Sequence, residues 1–333
     1  IKGHIGFGMM TDGNWQEDYV VPGYHYAKNA LFHSKAGYLR IGNEEKFPLV
    51  FEGGLEMATQ FGGTIYNPIG REGVYSDKLE MGTGLSDFVD ALLGTGSDAT
   101  DENYANAAGN TLGSWLFSLS YHGKDWKLRA YYDHFFEDHS MMFFEYGWKD
   151  GLIGVEATLP HNPFVSSVVY EFMNTTYQSG PVYHDCTTAV PDQISGIDNY
   201  YNHNLYQGWQ HWGQSMGNAL FTSPLYRNDG TLKFTGNRFK AHHVGICGSP
   251  LPCVDYRLLY TKIKNWGTYA APAEDVLHGN SFLFELNYRL PRMNSWWGEG
   301  WKIGASFAMD RGKCIGNHTG FQLTIAKSGL LCK

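Results

Sequence analysis

Apolar and polar side chains alternate with a period of two along most of this chain, the mark of strands with two unlike faces. The pattern is cleanest near the end. From Ser281 to Leu290, Phe282, Phe284, Leu286, Tyr288 and Leu290 share one face, while Glu285, Asn287 and Arg289 share the other. Trp301, Ile303, Ala305, Phe307 and Met309 oppose Lys302, Gly304, Ser306, Ala308 and Asp310 in the same way. Thr319, Phe321, Leu323 and Ile325 then oppose Gly320, Gln322, Thr324 and Ala326. Earlier stretches read alike: Leu49, Phe51, Leu55 and Met57 against Glu52, Gly54 and Glu56; Trp126, Leu128, Ala130 and Tyr132 against Lys127, Arg129 and Asp133; Ile153, Val155, Ala157 and Leu159 against Gly154, Glu156 and Thr158. The alternation predicts about fourteen strands, many near the ~9–11 residues that cross a bilayer at a tilt.

Two stretches break this rhythm. Residues 65–114 are rich in Gly, Asn and Asp and hold one short helix, with Ser86 placed to cap it, Phe88, Ala91 and Leu92 on one face, and Gly94 to end it. Residues 179–218 form a second insertion. Loops of this length without a function are uncommon. No linker, repeat or low-complexity tract divides the chain, so residues 1–333 read as a single domain.

Composition narrows the class. Aromatics make up 16 % of the 333 residues, Gly is 41 of them, and only 17 % are charged, which argues against disorder and against a coiled coil. The net charge of −8 argues against a nucleic-acid partner, since phosphate binding needs a basic footprint. No apolar run approaches the ~18 residues of a membrane helix. The mean hydropathy of −0.35 leaves a membrane barrel open, because alternating strands score low. Polar faces built of Gly, Ser, Thr, Gln or a lone charge suit a barrel lumen, and aromatics near strand ends (Trp115, Tyr121, Trp126, Trp266, Trp296, Trp297, Trp301) suit an interfacial girdle. A soluble sandwich alternates too, and the pattern alone leaves both architectures open. The chain begins in a strand-like stretch, Ile1 to Met9, with no charged n-region or apolar h-region, and we expect residues upstream of Ile1.

Candidate chemistry is sparse. Of the five cysteines, Cys186, Cys247, Cys253, Cys314 and Cys332, the pair Cys247 and Cys253 flanks a Gly-Ser-Pro-Leu-Pro turn where a disulfide would suit an oxidising envelope; two free thiols are the alternative. No CxxC or Cys/His spacing supports zinc. His242 and His243 are neighbours on a strand and point to opposite faces, so we expect no metal there. Gly94 to Asn103 looks faintly like a calcium loop but lacks the EF-hand spacing and its closing Glu. Glu52, Glu56, Glu156 and Glu171 could pair for glycoside hydrolysis, yet alternate strand positions account for them as lumen residues. No G-x-S-x-G elbow, phosphate loop, HExxH or nucleotide fingerprint occurs. We therefore expect no catalysis, cofactor or metal.

The richest segment runs from Asn199 to Tyr226. Tyr200, Tyr201, Tyr206, Trp209 and Trp212 offer flat apolar faces on which sugar rings can stack, and Asn202, His203, Asn204, Gln207 and His211 interleave donors and acceptors suited to hydroxyls. These ten residues are the candidate carbohydrate site. The same residues could instead seal a loop inside a barrel.

Asn199-Tyr-Tyr-Asn-His203, Tyr206-Gln-Gly208, Trp209-Gln-His-Trp-Gly213, Met216-Gly-Asn218 and Ser223-Pro-Leu-Tyr226 together resemble the capsule-assembly (Wzi-type) outer-membrane family, in its Bacteroides-like branch. Asp12-Gly-Asn-Trp-Gln16, His33-Ser-Lys-Ala-Gly37, Gly53-Gly-Leu-Glu56 and Asp87-Phe-Val-Asp90 are similar to that family as well. The chain departs from the usual barrel ending, since Gly329-Leu-Leu-Cys-Lys333 lacks a terminal aromatic. The resemblance implies an all-β, antiparallel transmembrane barrel of about 14–18 strands in a Gram-negative outer membrane. It also implies a non-catalytic, lectin-like role in capsule assembly, and an N-terminal region with further strands. Expected partners are capsular or other surface polysaccharide and outer-membrane lipid; the sequence identifies no export-machinery partner. The alternatives are a diffusion channel or transporter, or a soluble carbohydrate-active enzyme.

Overall fold

A computed structural model describes residues 1–70, 73–74, 77–94, 109–137, 142, 144, 148–183, 194–291 and 300–329. Its frame is one sheet of twelve strands in simple sequence order, every neighbouring pair antiparallel. The strands are β1 (Lys2–Met9), β2 (Leu31–Ile41), β3 (Leu49–Phe61), β4 (Asn110–His122), β5 (Lys127–Glu137) and β6 (Gly151–Thr158). They continue as β7 (Ser167–Asn174), β8 (Phe239–Leu251), β9 (Val254–Gly267), β10 (Pro272–Arg289), β11 (Trp301–Gly312) and β12 (His318–Lys327). This meander is one continuous up-and-down wall of antiparallel strands. The edge strands β1 and β12 are not paired with each other among the described residues. Twelve strands stand in this sheet where the alternation predicts about fourteen, and the paired stretches at 194–197 and 210–215 belong to small two-stranded ribbons inside the second insertion.

The register explains why the alternation was so regular. Following partners across the sheet, Leu49, Tyr121, Leu128, Ala157, Val168, Ile246, Leu258, Phe284, Phe307 and Phe321 form one continuous apolar row. Two residues along each strand, Phe51, Leu119, Ala130, Val155, Tyr170, Val244, Tyr260, Phe282 and Met309 form a second. Many of these side chains are exposed, for example Leu119, Leu128, Val155, Tyr260, Phe284 and Phe307. Apolar side chains arranged in a belt and left uncovered are a surface suited to lipid or to another apolar partner.

One step along each strand from that second row, the side chains turn inward and become polar. Arg40, Glu52, Ser118, Tyr131, Gly154, Glu171, His243, Thr261, Ser281, Asp310 and His318 follow one another across eleven strands. Glu56 and Glu156 share the same inner face, so the four glutamates read as lumen residues do lie there. The Tyr131 ring covers Gly154, where a side chain would collide with it, and its hydroxyl donates to Glu171 on the next strand.

Connections differ sharply between the two ends of the wall. At one end the strands join through residues 42–48, 123–126, 159–166, 252–253 and 290–300; at the other they join through 10–30, 62–109, 138–150, 175–238, 268–271 and 313–317. The longest connections therefore share one mouth. The helix expected in the first insertion is α2 (Leu85–Leu93), following α1 (Trp15–Tyr19). It begins two residues earlier than Ser86 implied: Gly84 caps it, the Asp87 carboxylate accepts the Gly84 N–H at 2.7 Å, and Gly94 closes it at φ 70°. Its Phe88 meets Phe7 and Phe61 on the outer surface of the wall.

Candidate functional site

The second insertion does not stand clear of the strands as a platform; it folds back against the inner face of the wall. Tyr200, Tyr201, Trp209, Phe221 and Phe234 are buried in one cluster with Met173, Phe239, Ala241 and Ile263 from the inner wall. The Trp209 indole is 2 % exposed and meets Phe32 of β2 edge to face, with ring centres 6.5 Å apart. Tyr201 stacks on Phe221 at 3.8 Å. Burying several large aromatics at roughly 25 cal/mol per Å² of apolar area makes this cluster the main anchor of the insertion.

Polar contacts fix its orientation. The Gln60 amide donates to the Gly208 carbonyl at 2.9 Å and its carbonyl accepts from Asn110 at 2.9 Å, tying insertion to β3 and β4. The Glu137 carboxylate at the end of β5 accepts the Tyr201 N–H. Asp150 accepts the Tyr177 N–H at 3.0 Å, the Gln178 N–H, and the Tyr200 hydroxyl at 3.0 Å. Asn237 donates to Asn199 at 2.6 Å and to the Tyr200 carbonyl at 2.8 Å. At Gly208, φ is 75° and an added Cβ would stand 2.2 Å from the Tyr201 carbonyl, so only glycine fits that turn.

A second layer closes over this one from the first insertions. Tyr26–Lys28, Thr64–Tyr66 and Lys78–Glu80 make a small three-stranded sheet, and Ala27, Ala30 and Ile65 bury Leu205 and Tyr206. The Asp12–Gln16 motif belongs to this layer: Asp12 accepts the N–H groups of Asn14 and Gln16, and the buried Gln16 carbonyl accepts the Ala27 N–H at 3.2 Å. His203 Nδ1 accepts two backbone N–H groups, from Leu205 at 3.1 Å and Tyr206 at 3.2 Å, which places its ring proton on Nε2. Burial lowers both His203 and its neighbour His25 to about 4, so both imidazoles are neutral.

Of the ten residues proposed for sugar, Tyr200, Tyr201, Tyr206, Gln207 and Trp209 are therefore buried. Asn202, His203 and His211 are half-buried and spent on backbone contacts: Asn202 on Phe234, His203 as above, His211 on the Thr11 carbonyl at 2.9 Å. Only Asn204 and Trp212 are exposed, Trp212 by 53 % and stacked on His211. The residues are brought together, but as a plug. Sequence reasoning missed the wall residues that hold it (Gln60, Glu137 and Asp150), and their only signal was a polar side chain at a strand end.

Cys247 and Cys253 are free. The turn between β8 and β9 is shorter than the sequence suggested, with Leu251 paired to Val254 and Cys247 paired to Arg257. Cys247 thus sits three rungs from the turn, roughly 10 Å along the ladder, beyond the ~7 Å limit for a bridge. Its sulfur lies 3.7 Å from the Ser166 hydroxyl instead. His242 meets the Tyr170 hydroxyl at 2.8 Å on one face, and His243 meets Thr261 at 2.7 Å on the other. Cys186, Cys332, Trp296, Trp297 and the acidic part of the calcium-like loop lie outside the described residues.

Between plug and wall lies a cavity of about 380 Å³, bordered by Phe32, Ala58, Leu112, Phe135 and Met173 of the wall and by Tyr201, Trp209 and Phe221 of the plug, with charged and polar groups of both signs, His4, Lys35, Glu56 and Glu137, also on its border. No protein-family model matches the chain, and no curated protein matches it. Among solved structures, the chain is similar to OccD3 (OpdP) of Pseudomonas aeruginosa at 12 % identity and TM-score 0.35, over 89 % of this chain and 75 % of that one. It is similar to OccK10 (OpdN) of the same organism at 9 % identity and TM-score 0.36, over 99 % and 90 %. It is also similar to OmpT, an outer membrane protein of Vibrio cholerae, at 7 % identity and TM-score 0.29, over 98 % and 93 %.

Proposed function

We propose that this chain is an outer-membrane β-barrel channel whose lumen is occupied by its own 199–238 segment. The observation that carries this reading is the register: two uncovered apolar rows on the outer face, and a polar row one step away on the inner face. A wall that is apolar outside and polar inside separates lipid from an aqueous path. The long connections at one mouth are the extracellular loops in this reading, and the short ones face the periplasm. The test is conductance in a planar bilayer. Replacing residues 199–237 by a short Gly/Ser linker should turn a low, flickering conductance into a steady one several-fold larger. A plugless protein that assembles as a barrel and conducts no better would refute the channel.

A second reading, contact with surface polysaccharide, is favoured by one observation: Trp212, exposed at the plug's outer edge and backed by His211. It reduces the ten-residue platform to Trp212 and Asn204. Unchanged binding of purified surface polysaccharide by the Trp212→Ala protein would exclude it.

A further inference from the structure

We infer that the outer face of β8–β11 carries a binding site for the phosphate-bearing headgroup of a membrane lipid, built on Lys262, Lys264 and Arg311. The site begins where the apolar belt stops. Directly beyond the row that holds Tyr170, Val244, Tyr260, Phe282 and Met309, the next outward-facing rung reads His242, Lys262, Asn280 and Arg311. In the rung after it, Lys264 stands between Lys240 and His278. Both lysines of β9 are exposed, whereas Ile263 between them is buried in the cluster on the inner face. Two tyrosines of the belt turn their hydroxyls toward this boundary: Tyr260 donates to Asn280 at 2.7 Å, and the Tyr170 hydroxyl lies 2.8 Å from His242 Nδ1. An apolar ring with its polar tip aimed off the belt is the posture of an interfacial aromatic. At the other end of these strands the outer face continues through Tyr256, Leu286, Tyr288 and Ile303, so on β9–β11 the cations mark one boundary.

The protein supplies these cations with no counter-charge. Among the described residues no ion pair engages Lys262, Lys264 or Arg311, although Glu274 and Asp275 lie only four and three residues from His278 on β10. Arg311 donates to the carbonyls of Asp310 and His318 and to the Thr319 hydroxyl, which fixes the guanidinium and leaves others of its five donors over. Lys240 is drawn to the buried Asp150 carboxylate and is left out of the site. A lysine beside an apolar belt lays its stem on the belt and lifts its ammonium to the level of the headgroups, where phosphate is the anion on offer. Two strand spacings put Lys262 roughly 10 Å from Arg311, and Lys264 follows roughly 7 Å along β9, a span that long side chains close around one headgroup. This inference rests on the reading of the outer face as lipid-facing and does not require that the pore conducts.

Two lipids that share their acyl chains and differ by the phosphate test it: didodecanoyl phosphatidic acid and didodecanoylglycerol, titrated into the full chain in neutral detergent and counted on the protein by native mass spectrometry. The phosphatidic acid should bind at least fivefold more tightly. Lys262→Gln with Lys264→Gln should bring the two lipids within twofold of each other and leave the diacylglycerol unaltered. Lys46→Gln with Lys124→Gln, the same change of charge at exposed sites in the short connections of the opposite end, should keep the preference. Inorganic phosphate at the concentration of the lipid should not displace it. Equal binding of the two lipids by the parent, a preference that survives Lys262→Gln with Lys264→Gln or falls as far with Lys46→Gln and Lys124→Gln, or displacement by inorganic phosphate would each overturn this inference alone. Binding of neither lipid would overturn it together with the lipid-facing reading of the wall.

Discussion

Trp209 and Trp212 lie three residues apart in one loop and do opposite things, which shows how little residue type alone says of a tryptophan. Trp209 is enclosed by the wall and by its own segment, so truncating it removes a large packed ring and leaves a cavity. Trp209→Ala should cost ~3–5 kcal/mol. Trp212 is half in solvent, touching His211, and Trp212→Ala should cost less than about 1 kcal/mol. Thermal unfolding of both variants in the same detergent checks the pair. A sugar platform would give the reverse ordering in glycan affinity with little difference in stability. The thiols make a second contrast at this scale. With Cys247 held opposite Arg257 and Cys253 in the turn, both should be alkylated in a non-reduced digest, and a bridged peptide would show the β8–β9 register to be wrong.

Strands were legible because a wall between two media forces every side chain to one face or the other, and a one-residue slip would exchange all of them. The alternation at Ser281–Arg289, Trp301–Asp310 and Thr319–Ala326 falls inside β10, β11 and β12 for that reason, with Leu290 one residue past the end of β10. The same logic gives an element-scale prediction. Phe307→Arg, on the outer row between Phe284 and Phe321, should cost ~2–4 kcal/mol if it meets the bilayer midplane, whereas Ser306→Arg, one step away on the inner face, should be mild. Outer-membrane assembly and heat resistance of the two variants in detergent decide it, and equal tolerance would remove the lipid-facing belt. The insertion was not legible in this way, since nothing periodic distinguishes a buried polar loop from an exposed one. Tyr, Trp, Asn, Gln and His serve a sugar platform and a hydrogen-bonded plug equally well. Whether Tyr206 meets a sugar or Ile65 depends on partners more than a hundred residues away. The disulfide reading placed the turn across the whole Cys247–Cys253 stretch, whereas pairing continues through Leu251 and moves Cys247 up the ladder, away from Cys253.

At the scale of the molecule, wall and plug are stabilised by different physics, and acid should separate them. The wall rests on the ladder of backbone bonds and on an outer belt whose two main apolar rows carry no carboxylate or imidazole. The upper layer of the plug holds two neutral imidazoles, His25 and His203, each lowered by burial from 6.5 to about 4. A group whose folded value is depressed contributes stability above its unfolded value and loses it as pH falls. Between pH 6.5 and about 4 a released loop takes up protons that the docked loop refuses, so docking weakens with acid throughout that window. Each imidazole can contribute about 1–3 kcal/mol, the lower part of that range applying to the half-buried His203. Limited proteolysis of the 199–238 segment, followed from pH 7.5 to 4.5 in detergent, should accelerate as pH drops while the strands stay protected. His203→Asn isolates the cause. Its side-chain carbonyl can accept the Leu205 and Tyr206 N–H groups as the imidazole does, yet it takes up no proton in this range. The variant should therefore dock at neutral pH and show a shallower dependence, by about one proton, across the same window. An acid response as steep in His203→Asn as in the parent would exclude His203 as a contributor, and no acid response in either protein would mean that the plug does not leave the wall as a unit.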